Sequence, residues 1–312
     1  MHFWVDAGTT IGSIFTEGCL YGIMALGVFI TFRVLDFPDL TVDGSFPLGA
    51  AIMAALVVRD CSPLAAMFIA FGGGALAGIA TALMHNELKI PNLLAGILTM
   101  IFLYGVNLKI LGGASNLPMI GHRTVFDDLK GLAELGGVPT EVVTAVFFIL
   151  VIFAAKLFLD LFFRTDLGLT LGALGNNQQM VVSQGVNPKI LKIIGVSLSN
   201  GLVAMAGSFA AQYQGFGDVS FGQGIIIAGL ASVMIGEFLI RSNKIFWLTV
   251  NVILGSIIFN AVMAGARALI YYLPFITASD LKPLQVILVV LCLIAIRARN
   301  AARKKGETVG QA

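Results

Sequence analysis

The sequence predicts an all-α chain that crosses a membrane many times as a polytopic helical bundle, and three observations carry that prediction. Of its 312 residues, 58% are hydrophobic and only 12% charged, about half the charged share of a soluble domain. Mean hydropathy is +0.94. Apolar windows of about 18 or more residues, each long enough for a hydrocarbon core, recur from one end to the other. Such a chain cannot cover its own surface with polar groups, so the lipid membrane is its solvent and one of its partners. A formal net charge of +2 leaves no basic surface for nucleic acid.

The first span covers residues 11–32 and closes on Arg33. The residues before it lack a basic n-region and an A-x-A site, so they do not read as a signal peptide. The next apolar run, 46–58, is half a span. To cross, it must borrow the polar DLTVDGS stretch before it, which predicts a broken second helix. Irregular backbone at membrane depth survives only where protein or a water-filled path satisfies it. The third span, 63–84, presents Gly72, Gly73, Gly74 and Gly78 as a close-packing face. The fourth, 93–111, carries Tyr104 and Asn107 one turn apart. A long loop, 112–139, leads to the fifth span, 142–163. The sixth is 190–211, the seventh 224–240, the eighth 246–268 and the ninth 284–296, about nine in all. Residues 1–300 read as a single transmembrane domain and 301–312 as a mobile tail.

Between the fifth and sixth spans lies 164–188, RTDLGLTLGALGNNQQMVVSQGVNP. It is too rich in Gly, Asn and Gln to span, yet regularly dotted with Leu, Met and Val. A short amphipathic segment there is placed to dock on a partner outside the membrane. Lys and Arg gather at Arg33, Lys89, Arg164, Lys189, Lys192, Arg241, Lys244 and the tail 297–305. The positive-inside rule makes those ends cytoplasmic and the N-terminus external. FPDLTVDGS at 37–45 is echoed by FGDVSFGQG at 216–224, on the opposite membrane face. An inverted repeat would leave that echo, and so would chance convergence of two Gly-rich span entrances.

Catalytic signatures are absent. There is no phosphate loop, H-E-x-x-H, CxxC or GxSxG, and His2, His85 and His122 are too far apart for a local metal pair. Cys19, Cys61 and Cys292 read as small buried hydrophobes rather than ligands or disulfides. Ionisable groups within spans mark ion-coupled carriers because they are costly in lipid. Here they reduce to Glu17, Glu237 and Arg267 near span ends and to the acids of DLTVDGS. Asp39 and Asp43, with Thr41 and Ser45, either line the entrance to a translocation path or cap the helical runs they precede. Tyr104, Asn107, Asn200, Gln212 and Tyr213 either bond to neighbouring helices or line the same path.

The run Gly172-Ala-Leu-Gly-Asn-Asn177, then Gly185-Val-Asn187, Lys189 and Lys192, leads into Leu198-Ser-Asn-Gly-Leu-Val-Ala-Met-Ala-Gly207. It resembles the cytoplasmic coupling loop and following span of bacterial ABC importer permeases of the branched-chain amino acid and ribose permease type. DLTVDGS resembles the D-L-S-V-G entrance of that family. FRVLDFPDLTVDGSFPLGAA and YGVNLKILGGASNLP are similar to a subgroup that pairs with a lipoprotein-type binding protein and is assigned loosely to aromatic amino acids such as tryptophan. The similarity covers about 18–299. Gly172 and Gly175 stand where the family usually has Arg, and Met180, Val181 and Val182 replace its alanines, so the docking face is greasier and less basic.

The resemblance implies a permease subunit of the bacterial cytoplasmic (inner) membrane, with two copies forming the path for a small, amino acid-like solute. It implies an extracytoplasmic binding protein that delivers the solute, and a separate ATPase subunit that carries ATP and Mg while this chain binds no cofactor. Coupling to that ATPase falls on Leu171, Ala173, Leu174, Gly175, Asn176, Asn177, Gly185 and Asn187. The alternative is an ATP-independent secondary transporter or channel, which would place an ionisable coupling residue mid-span. A membrane-embedded enzyme would need an acid–base pair or metal cluster at one membrane face.

Overall fold

A computed structural model describes residues 2–239 and 244–272, together with the single positions 283, 286, 287, 290 and 294. The long first helix α1 (His2–Phe29) runs into a π-helical turn (Ile30–Val34) and there stops. Asp36 adopts a left-handed φ of 50°, and Pro38 pushes Phe37 away from helical geometry. The chain resumes as the short helix α2 (Val42–Val57). Next come α3 (Pro63–Leu88) and α4 (Asn92–Ile110), each opened by a proline at its start or just before it.

The strand β1 (Asn116–Pro118) and the amphipathic helix α5 (Val125–Gly136) lead to α6 (Thr140–Arg164). Two short helices follow, α7 (Asp166–Asn176) and α8 (Gln178–Ser183). Then come α9 (Pro188–Gln214), β2 (Phe216–Asp218), a 3₁₀ turn (Val219–Gly222), α10 (Ile225–Leu239) and α11 (Ile245–Tyr272). Among the described residues, seven helices are long and apolar enough to cross a membrane, and α2 is a shorter apolar eighth. The expected ninth span, the 301–312 tail, Arg241 and the basic run 297–305 lie outside the described residues.

Lipid-facing side chains make the solvent visible. Phe68 on α3, Phe102 on α4 and Leu150 on α6 are each more than half exposed, a pattern that a water-soluble surface does not tolerate over such lengths. The core forms around α9, which packs most extensively against α3 and α2. Glycines permit that approach: a Cβ on Gly74 would stand 2.3 Å from the Asn200 carbonyl oxygen, and one on Gly49 1.8 Å from that of Ala204. Backbones this close gain packing and dipolar contacts that larger residues would forbid. Of the four glycines expected on one face of α3, Gly74 and Gly78 meet α9 and Gly73 meets Ile52, whereas Gly72 faces open space. The helical period turns Gly72 away from the face that Gly74 and Gly78 share.

The bundle has two distinct ends. At one, Arg33 pairs with Glu237, Lys189 with Glu87, and Lys192 with His85, and α7 packs against the π-turn. At the other, β1 pairs antiparallel with β2, His122 meets Asp60, and α5 is held by a Thr124–Asp127 capping box. The carboxyl of Asp127 feels desolvation upward, but the Thr124 hydroxyl, its N–H and Lys130 outweigh it and hold the pKa below the ordinary value. The described residues of the basic set predicted to share a side therefore do share one end, and the start of the first span lies at the other.

Gly49→Val is expected to prevent assembly of α2 on α9, lowering stability by about 3 kcal/mol or more. Loss of a monodisperse peak in detergent size-exclusion chromatography would report it, while Gly72→Val should elute as the wild type.

Candidate functional site

The break between α1 and α2 places polar backbone and side chains at the depth of the middle of α9. Asp39 there is 0% exposed. One carboxyl oxygen accepts the Thr41 N–H at 2.9 Å and the other accepts the Asn200 amide at 2.7 Å. Asn200 in turn accepts from the Ser45 hydroxyl at 2.6 Å. Thr41, Thr81 and Thr99 form a hydroxyl chain with spacings of 2.8 and 2.9 Å, joining the break to α3 and α4. Gly96 lets α4 reach it, since a Cβ there would lie 2.7 Å from the Leu40 nitrogen. No ion pair among the described residues includes Asp39. Its carboxyl group is met by neutral donors alone.

Asp43 has a different task. It lies in the first turn of α2, and its carboxylate accepts the Ile226 N–H at 2.8 Å. It is thus a cap, as one reading of the sequence expected, but of α10 rather than of its own helix. The second break, 216–224, is built from the strand β2 and a 3₁₀ turn, yet shares one contact with the first. Asp218 accepts the Ser220 N–H at 2.6 Å, as Asp39 accepts that of Thr41, and a short helix follows in each case. The two breaks leave α1 and α9 at opposite ends of the bundle and meet where Gly222 backs onto the Asp43 carbonyl. Pro47 cannot donate to that carbonyl, so α2 leaves it open to approach.

Asp43, Tyr104 and Asn107 line one cleft of about 410 Å³ between α2, α4 and the 3₁₀ turn that precedes α10. Asn107 is fully buried, while Tyr104 is 57% exposed at the cleft mouth. The structure therefore gathers Asp39, Thr41, Ser45 and Asn200 in one buried network and Asp43, Tyr104 and Asn107 in the adjoining cleft. Gln212 stands apart. It lies at the capped end, where its side-chain oxygen accepts the Val125 N–H at 3.0 Å and anchors α5. Tyr213 is there too, its ring tilted against that of Phe126 with centroids 5.6 Å apart.

In the 164–188 segment the motif residues turn out to build the fold of the segment. Leu171 and Leu174 are buried in the core shared with Phe29, Leu35 and Phe163. Helical spacing puts them on the inner side of α7. A Cβ on Gly175 would lie 2.0 Å from the Val34 carbonyl oxygen. Asn177 and Asn187 cap α8 and α9 through the N–H groups of Met180 and Lys189. Gly185 takes the left-handed φ of 79° that ends α8. Ala173 is half-buried against the same core, and Asn176 is exposed. The exposed apolar residues of the segment and its exit are Leu167, Leu169, Met180, Val182 and Ile190, each roughly half exposed.

One pair escaped the reading of the sequence. Lys156 and Asp160 lie within α6, are 7% and 5% exposed, and bond to each other. Thr249 on α11 donates to Asp160 at 2.8 Å and the Phe246 ring sits 3.8 Å from the Lys156 ammonium. The i, i+4 spacing of opposite charges was the available signal. The set of intramembrane ionisable groups is thus larger than Glu17, Glu237, Arg267 and the DLTVDGS acids. Among the described residues no cluster of three His, Cys, Asp or Glu could hold a metal.

Comparison with known sequences bears on what this architecture serves. Residues 10–297 match the family described as branched-chain amino acid transport system / permease component. A tyrosine transport system permease protein of Clostridioides difficile is 38% identical over 293 residues, which is 94% of this chain and 93% of that protein. A galactofuranose transporter permease protein of Escherichia coli is 26% identical, covering 96% of this chain and 84% of that protein. An autoinducer 2 import system permease protein of an Enterobacter species is 27% identical over 73% of this chain and 63% of that protein. No solved structure matches the chain significantly.

Asn200→Ala should destabilise the protein by about 2 kcal/mol, because it strips a donor from a buried carboxyl group. In an Asp39→Asn background the same change should cost about half as much. Thermal unfolding in detergent of the four proteins of this cycle measures the coupling directly.

Proposed function

The chain belongs to the branched-chain amino acid transport system permease family, and from that premise we propose that it forms the translocation path of an ATP-driven bacterial importer. A separate ATPase, charged with ATP and Mg, would seat the exposed face of α7 and α8. A second copy of this chain would complete the path, and an external binding protein would deliver the solute. The ends bearing Arg33, Lys89, Arg164 and Lys189 would be cytoplasmic, and the capped end with the N-terminus external. An amino acid-like cargo, aromatic in side chain, is supported by the tyrosine permease relative. The sugar and autoinducer permeases match at lower identity.

The observation that carries the reading is the mechanical continuity between the docking segment and the broken helix. Leu171 and Leu174 share a core with Leu35, and Gly175 rests on the Val34 carbonyl. A Cβ on Gly195 would strike the Leu35 side chain at 2.1 Å. Displacement of α7 by a closing ATPase dimer therefore acts on Val34 and Leu35, four residues from Asp39 and its bond to Asn200. The π-turn supplies the give, since it is one of the few local geometries that let a helix change pitch. ATP would then drive a transition between two packed arrangements, with no ion bound in transit.

A variant with Met180→Asp and Val182→Asp is expected to lose the ATPase on co-purification from native membranes, while the wild type and a Gly72→Val control keep it. The subunit is identified by its ATP hydrolysis. If no ATPase is retained by the wild type, an ATP-independent carrier takes the place of this reading.

A further inference from the structure

The cleft between α2, α4 and the 3₁₀ turn before α10 is lined by a residue with an unpartnered polar atom. Asn107 donates its amide N–H to the Gly44 carbonyl at 3.3 Å, and its carbonyl oxygen is buried without a hydrogen bond. The orientation of the amide is not interchangeable, because the Gly44 oxygen can only accept. An acceptor left unpaired in a low-dielectric interior costs about 1–3 kcal/mol. Its place is set by close packing: a Cβ on Gly44 would touch Leu103 at 3.0 Å and Met100 at 3.1 Å, so α2 and α4 meet at that residue.

The same cleft is lined by Asp43 and by no Lys, Arg or His. Its remaining wall is largely apolar, with Pro47, Met100, Ile101 and Val219; Gln223 adds one neutral polar side chain, and Tyr104 stands at the mouth. Its size falls in the range of small-molecule sites. A neutral acceptor and a carboxylate, facing an apolar wall without a balancing cation, favour a ligand with a charged donor at one end and a hydrophobic body at the other. A hydroxyl would satisfy only part of that demand, because charge-assisted hydrogen bonds are roughly twice as strong.

We propose that this cleft is the recognition site for the primary ammonium group of the transported solute. The Asn107 carbonyl oxygen and the Asp43 carboxylate are its acceptors, and Tyr104, Met100 and Pro47 form the wall for its apolar side chain. The proposal rests on the permease reading and adds a chemical selection within the path itself. In the conformation described, the Asn107 oxygen is closed to water. The site is completed when the α2–α10 junction opens during transport, and the unpaired acceptor gains its donor at that moment.

The test uses the permease–ATPase complex purified without a binding protein, so that only the path is read. Retention of the ATPase is scored first in the same preparation. If it is not retained, the importer reading fails by itself and the measurement proceeds on the chain alone. Three probes are compared by thermal unfolding shift: tyrosine, tyramine, which keeps the ammonium but lacks the carboxylate, and 3-(4-hydroxyphenyl)propionate, which lacks the ammonium. Tyrosine and tyramine should stabilise the protein and the deaminated acid should not. Asn107→Leu should weaken tyramine binding at least tenfold. Should that variant fail to assemble, Tyr104→Ala, which alters an exposed side chain, should weaken both ammonium probes about tenfold. Equal stabilisation by the deaminated acid, no shift with any probe, or unchanged tyramine affinity in the variant that assembles overturns the proposal.

Discussion

A carboxyl group at 0% exposure in the middle of a membrane bundle, answered by neutral donors alone, imposes demands that propagate through the structure. Asp39 needs a backbone N–H, so the chain must be non-helical there, which the left-handed Asp36 and Pro38 secure. It needs a side-chain amide, so α9 must present Asn200 at that depth. Asn200 must then be satisfied in its turn, which Ser45 on α2 does. The glycines that bring α2, α3 and α4 against α9 and the break follow from the same demand, because hydrogen bonds of 2.6–2.9 Å between elements require backbones that nearly touch. Polar satisfaction and close packing are one constraint in this bundle.

The second break repeats the device with its direction reversed, and the two converge on Asp43. A helix N-terminus leaves N–H groups without partners, and α10 has its own begin inside the bundle, where water does not supply them. Asp43 supplies an acceptor from a different helix. This makes the relative position of α2 and α10 a matter of hydrogen bonding as well as packing.

The 164–188 segment shows what its Gly, Asn and Leu residues do locally. They fix two capped helices folded onto the π-turn, with Leu171 and Leu174 turned into the core and Gly175 against the Val34 carbonyl. Leu169 and Met180 stay exposed on the fold so made.

By itself the sequence determined the solvent, most spans, the broken second helix, the shared end of the basic residues and the place of the 164–188 segment between two spans. Each depends on composition or local periodicity, which the chain carries within about twenty residues. It also placed Asp39, Asn107 and Asn200 among the polar groups that matter. Only the tertiary structure decided their uses: Asp43 capping a helix 183 residues away, Gln212 anchoring α5 rather than joining the buried network, and Leu171 turning inward. Lys156 and Asp160 were legible as an i, i+4 pair and were passed over within a long apolar run, whereas their tie to Thr249 and Phe246 was not legible at all. Hydrogen-bond partners across a bundle are chosen by which helices pack together, and that choice is made by the whole chain at once.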